Sequence, residues 1–123
     1  GEEETMNLEK LYQEMGGDMA DAVRRLGSIA AVERFLRMFA GDDTFAMLEA
    51  AMSAGDVRRA FRAAHTLKGL AANLGLVQLG QAASALTEAL RGSDMQRASA
   101  LYPETAAAYR QAYAAIGDLD TDA

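Results

Sequence analysis

The 123-residue chain contains no cysteine, one proline (Pro103), one histidine (His65) and few aromatic or β-branched residues. Lack of cysteine excludes a disulfide framework and any thiolate metal site. No apolar run approaches the length of a membrane span and no signal-peptide core is present, so neither insertion nor secretion is expected and the chain reads as cytoplasmic. Basic residues are too few for a general nucleic-acid binder. Twelve Lys and Arg against 18 Asp and Glu leave a formal charge of −6, where neutralising phosphates needs a basic surface. Paired Glu-x-x-His segments are missing, which removes a di-metal bundle, and no metal or cofactor is expected. The chain opens on Gly1 rather than methionine, as a trimmed chain would.

What is present favours helix. Ala, Leu, Met, Glu, Gln and Arg dominate, and their intrinsic propensities point to an all-α fold. Residues 1–123 fit a single domain, long enough for one continuous core. Glu2, Glu3 and Glu4 suit a frayed terminus or a helix first turn. Met6, Leu8, Leu11, Tyr12 and Met15 then recur at helical spacing up to Gly16-Gly17. Asp18, Ser28 and Asp56 are placed to cap the helices that follow, Ser93 or Asp94 to cap the last, and Gly27, Gly55, Gly75 and Gly92 to stop helices. Pro103 lies inside the final helical pattern, which predicts a kink or break near Leu101-Tyr102. Residues 118–123 read as a loose acidic tail. Met6, Met15, Met38, Met47 and Met52 sit at apolar positions and are expected in the core, while Tyr102, Tyr109 and Tyr113 should pack the last helix with their hydroxyls at the rim. Short turns between helices imply antiparallel neighbours, hence an up-and-down bundle. Residues 5–27 form a helical extension ahead of a core bundle at about 29–116, and are expected to cover an exposed apolar end.

His65 carries the chemistry. On a wheel of about 100° per residue, Ala60, Ala63, Leu67, Leu70, Ala71 and Leu74 form one broad apolar face. His65 falls on the other side, with Arg58, Phe61, Arg62, Lys68, Gly69 and Ala72 around it. An exposed histidine is ordinarily just part of a solvated face, but these neighbours argue for more. Gly69 costs about 1 kcal/mol in a helix relative to alanine, and such a glycine often marks a place where a side chain would obstruct something. With Ala72 it leaves a clearing beside the imidazole. Lys68, one turn on, supplies a mobile positive charge suited to phosphate, and Arg58 and Arg62 add positive potential. A neutral imidazole is a nucleophile near pH 7. No second titratable group with a base role flanks it, so the chain reads as a substrate and carrier rather than an enzyme.

The run His65-Thr66-Leu67-Lys68-Gly69, followed by Ala72-Asn73-Leu74-Gly75 and by Leu79 and Leu86, resembles the histidine-containing phosphotransfer (HPt) domain of two-component phosphorelays. The resemblance runs from about Ile29 to Ile116 and includes the Ala54-Gly55-Asp56 turn. It implies an antiparallel four-helix bundle, here with additional short N-terminal helices. It also implies that His65 is the phospho-acceptor through Nε2, Lys68 a charge stabiliser, and Gly69 steric clearance. Partners would be receiver domains of response regulators or hybrid kinases, meeting Phe61, Arg62, Ala72, Arg58 and Thr87 on a chain expected to be a monomer. The magnesium ion of such transfers belongs to the receiver. One departure stands out: in the helix after the histidine helix the family often has Leu followed by Glu or Gln, whose side chain can orient the histidine, whereas here Leu86 precedes the shorter Thr87, and Glu88 comes one residue late. Two other roles share this fold: the phospho-accepting domain of a chemotaxis-type histidine kinase, and a helical adaptor that is not phosphorylated.

Overall fold

The structure, a computed structural model, describes residues 1–121. The described residues form seven helices and no strand: α1 Glu2–Met15, α2 Met19–Leu26, α3 Ile29–Ala40, α4 Thr44–Ala54, α5 Val57–Asn73, α6 Val77–Arg91 and α7 Met95–Thr121. Their starts are chemically marked. Asp18, Ser28, Asp56 and Asp94 each accept a hydrogen bond from a backbone N–H in the first turn of the helix that follows, at 3.0–3.1 Å. Asp94 rather than Ser93 therefore caps α7. Gly16, Gly27 and Gly55 end helices in the left-handed conformation. After α6 the left-handed residue is Ser93, at φ 56°, and not Gly92.

Helices α4 to α7 run up and down in order, with the most extensive packing between α5 and α6. Small residues are fully buried on both helices, among them Ala60, Ala64 and Ala71 on α5 and Ala83 on α6. Gly80 of α6 comes so close to α5 that a Cβ there would touch the Ala71 methyl at 3.7 Å. Leu67, Leu74, Leu79, Leu86 and Leu90 fill the remaining space. On the other side of the bundle an aromatic stack joins three helices. Phe45 of α4 lies flat against Tyr109 of α7 at 4.1 Å between centroids, and Phe39 of α3 meets Tyr109 edge-on at 5.7 Å.

The N-terminal helices close the end of the bundle where α5 turns into α6. Leu8, Leu11, Tyr12 and Met15 join the same buried cluster as the bundle. The Tyr12 hydroxyl donates to the Leu74 carbonyl at 2.7 Å, and the Asp18 amide donates to the Gly75 carbonyl at 2.8 Å. Gly75 is required here for two reasons. Its φ is 63°, and a Cβ would run into the Asp18 carbonyl oxygen. Gln111 of α7 adds a hydrogen bond to the Glu14 carbonyl, at 2.6 Å.

Three expectations are corrected. Helix α7 does not break at Leu101-Tyr102 but continues through Pro103. Pro103 and Ser99, whose carbonyl loses its usual donor, both face solvent, while Ala98, Thr105 and Ala106 pack inward on either side. The expected loose tail is helical through residue 121, because Leu119 continues the inward spacing of Ala112, Ala115 and Ile116; its last two residues lie outside the described residues. Met6, Met38 and Met47 are more than half exposed, since a bundle of alanine-rich helices has little inner surface and these positions fall beyond its edge. Tyr113 is also exposed, whereas Tyr102 and Tyr109 are half-buried. No helix among the described residues is long and apolar enough to cross a membrane.

Burial holds the Tyr12 hydroxyl neutral, well above its ordinary pKa of about 10. A raised pKa means that this contribution is complete below the ordinary value and is lost as pH rises above it. Tyr12→Phe is expected to cost about 1–2 kcal/mol in urea unfolding at pH 7, because it leaves the Leu74 carbonyl without its donor. The loss of stability above about pH 10 should be smaller in this variant than in the parent.

Candidate functional site

His65 sits midway along α5, with its helix anchored beneath it. Ala64 and Leu67 beside it are fully buried, and Ala60, Ala63 and Ala71 complete the inward stripe. Helical geometry therefore turns His65 outward, and it is exposed. Among the described residues no side chain hydrogen-bonds the imidazole. Its principal contact is Phe61, one turn earlier on the same helix. The two rings stack at 5.9 Å between centroids and within 11° of parallel.

The surroundings differ in kind around the ring. Lys68 is half-exposed on the same face, while Arg58, Arg62 and Ala72 are exposed. Gly69 is exposed, and a Cβ built on it would meet nothing within 4 Å. No internal packing therefore demands glycine at this position. The mid-helix glycine weakens α5 and relieves no contact within the chain; what it provides is open space next to the imidazole.

Helix α6 runs alongside. Thr87 is fully buried, and its hydroxyl donates to the Ala83 carbonyl at 2.6 Å. This corrects its assignment to the partner surface: Thr87 neither reaches solvent nor has a free proton to offer the imidazole. Its hydrogen bond to the preceding turn is the ordinary one for a helical threonine facing a core.

Two residues of α6 that sequence reasoning missed belong to the site. The Arg91 guanidinium lies over the Phe61 ring, 5.0 Å from its centroid, and its Nε is 2.8 Å from Oε2 of Glu88. The Arg91 guanidinium, with a lesser contribution from Lys68, holds the Glu88 carboxyl below the usual carboxylate range. Glu88 thus links the Arg91 and Phe61 side of the site electrostatically to Lys68. Arg91 carries no local signal in the sequence: equal counting outward from the Gly75 turn pairs Phe61 with Ala89, and only the length of the Arg91 side chain brings its guanidinium to the ring.

The arrangement can expose a nucleophilic nitrogen to another protein, keep neighbouring side chains out of the approach path, and place positive charge at its rim. Nε2 lies farther from the backbone than Nδ1, so it is the ring nitrogen best placed to meet a partner. Among the described residues no group of His, Cys, Asp and Glu is arranged to hold a metal ion.

The family model described as Hpt domain matches residues 30–118, well over half of the chain. Comparisons with the curated proteins and with the solved structures give no match.

Gly69→Ala should raise stability by about 0.5–1 kcal/mol, since the added methyl enters open space and only helix propensity changes. Thr87→Ala should lower it by about 1 kcal/mol through loss of a buried hydrogen bond. Thermal unfolding of the two variants beside the parent checks both signs.

Proposed function

Because the chain belongs to the Hpt domain family, whose members carry phosphoryl groups on histidine in phosphorelays, we propose that His65 accepts a phosphoryl group from the aspartyl phosphate of one receiver domain and passes it to another. The observation that carries this reading is the pairing of an exposed imidazole with Gly69, a helix-weakening glycine whose only effect is to clear the space beside it. A surface histidine without this role would have no use for the glycine.

The transfer follows from the imidazole's chemistry. The lone pair of neutral Nε2 attacks phosphorus, the bond from phosphorus to the aspartate oxygen breaks, and the carboxylate leaves with that electron pair. Nδ1 keeps its proton, so the phosphorylated ring carries positive charge next to the phosphoryl oxygens. Passing the group on runs the same steps in reverse. Lys68 offsets phosphoryl charge as it arrives and leaves. It is half-exposed, so its contribution is smaller than that of a buried donor.

Phe61, Gly69 and Ala72 would form the contact surface, with Arg58, Arg62 and Lys68 at its rim. Positive charge at this rim suits the acidic pocket of a receiver domain even though the chain as a whole carries −6. The complex should be small and transient, since a relay requires release, and one copy of the chain suffices for it. A carrier of this kind needs no turnover of its own.

Incubation with a radiolabelled phospho-receiver tests the reading. Label should move to the parent chain as acid-labile, base-stable phosphate, and His65→Gln should take none. Lys68→Ala should slow transfer about tenfold, below the effect of losing a preorganised buried donor. Gly69→Ala should slow it as well, despite its greater stability. Absence of label across several receivers, or label persisting in His65→Gln, would contradict the proposal. Labelling only by a kinase domain with ATP would instead identify a kinase's acceptor domain. A stable partner complex indifferent to His65→Ala would identify an adaptor.

A further inference from the structure

An exposed histidine on a helix ordinarily samples several rotamers, and an acceptor that must meet a phosphorus atom in line gains from having fewer. Thr87 of α6 does not restrict it, because it is fully buried and its hydroxyl is committed to the Ala83 carbonyl. The restriction present is a stack of rings and charges. Phe61 lies against the imidazole within 11° of parallel, Arg91 lies over Phe61 at 5.0 Å, and Glu88 grips Arg91 at 2.8 Å. The anchor is firm, since Ala89 and Leu90 immediately before Arg91 are buried and hold the end of α6 against the bundle. Arg91 itself is more than half exposed, so its place over Phe61 is not forced by burial.

We propose that Arg91 is a positioning residue for phosphoryl transfer at His65: held by Glu88, it fixes the Phe61 ring, and Phe61 fixes the plane of the imidazole. The role rests on the carrier reading above but makes a separate physical claim about the unphosphorylated chain. It replaces a hydrogen bond to the imidazole with an aromatic stack, which leaves both ring nitrogens unencumbered. A hydrogen bond at Nδ1 would set the ring's tautomer; the stack sets only its plane. The arrangement also accounts for the position of Glu88, three residues before Arg91, at the spacing of a helical ion pair.

The sole histidine makes the test direct, because its ring signals in an NMR spectrum need no separate assignment. The ring-proton shifts and side-chain couplings of His65 are measured in the unphosphorylated parent, Phe61→Leu, Arg91→Met and Arg91→Lys. Transfer rates from a phospho-receiver and melting temperatures are measured alongside. Phe61→Leu should abolish the ring-current displacement and average the couplings. Arg91→Met should move both part of the way and slow transfer about three- to tenfold without lowering the melting temperature. Arg91→Lys, which keeps the cation, should recover most of the loss. Parental ring signals in Arg91→Met would overturn the proposal whatever its rate, since a slower rate with an unmoved ring means that Arg91 contacts the partner instead. Failure of the parent chain to accept phosphate would count against the carrier reading, while the ring signals would still decide the positioning claim.

Discussion

The packing of α5 against α6 is the contact on which the rest of the site depends. Ala60, Ala64 and Ala71 on α5 and Ala83 on α6 are fully buried, and Gly80 of α6 lies within van der Waals reach of the Ala71 methyl, so the hairpin packs over small side chains. The Arg91 side chain at the end of α6 reaches across this hairpin to the Phe61 ring on α5. Thr87 of the same helix is fully buried and commits its hydroxyl to its own backbone. Helix α6 thus supplies Arg91 to the site and keeps Thr87 from it.

The N-terminal helices act on the same hairpin from its far end. Tyr12 and Asp18 donate to the two carbonyls at the α5–α6 turn: the Tyr12 hydroxyl satisfies Leu74, and the Asp18 amide joins that of Val77 on Gly75. The residues that form the turn therefore belong to two tasks at once: Gly75 allows the left-handed backbone, and its missing side chain lets the α1–α2 junction dock. An extension that looks dispensable by length is tied to the backbone of the helix bearing His65. The α1 apolar face covers core that would otherwise be open at that end.

Much of this was legible in the sequence because helix boundaries are written in local chemistry. Asp18, Ser28 and Asp56 cap as their positions indicate, and the wheel places His65 outside the buried stripe of α5. What escaped depended on neighbours. Pro103 reads locally as a break, but its lost donor lies on a solvent face and the flanking core contacts carry the helix through it. Met6, Met38 and Met47 have the spacing of core residues, yet the spacing does not tell how wide the inner surface is. Thr87 was matched to a family position by register, and register fixes which helix face it is on but not whether that face is sealed. Arg91 lies outside any motif and becomes visible only when the hairpin is folded back on itself.

His65 stacks on one ring, Phe61, its nitrogens make no hydrogen bond among the described residues, and Gly69 leaves open space beside it. The central claim is that such a site presents Nε2 to phosphorus. The most direct measurement is the regiochemistry of the phosphorylated chain, read from the two ring-nitrogen resonances of the sole histidine in a 15N-labelled sample. The account predicts one nitrogen, Nε2 of His65, bearing the phosphoryl group and showing coupling to phosphorus. Phosphate on Nδ1, or on a carboxylate or hydroxyl elsewhere in the chain with the imidazole unmodified, would contradict it.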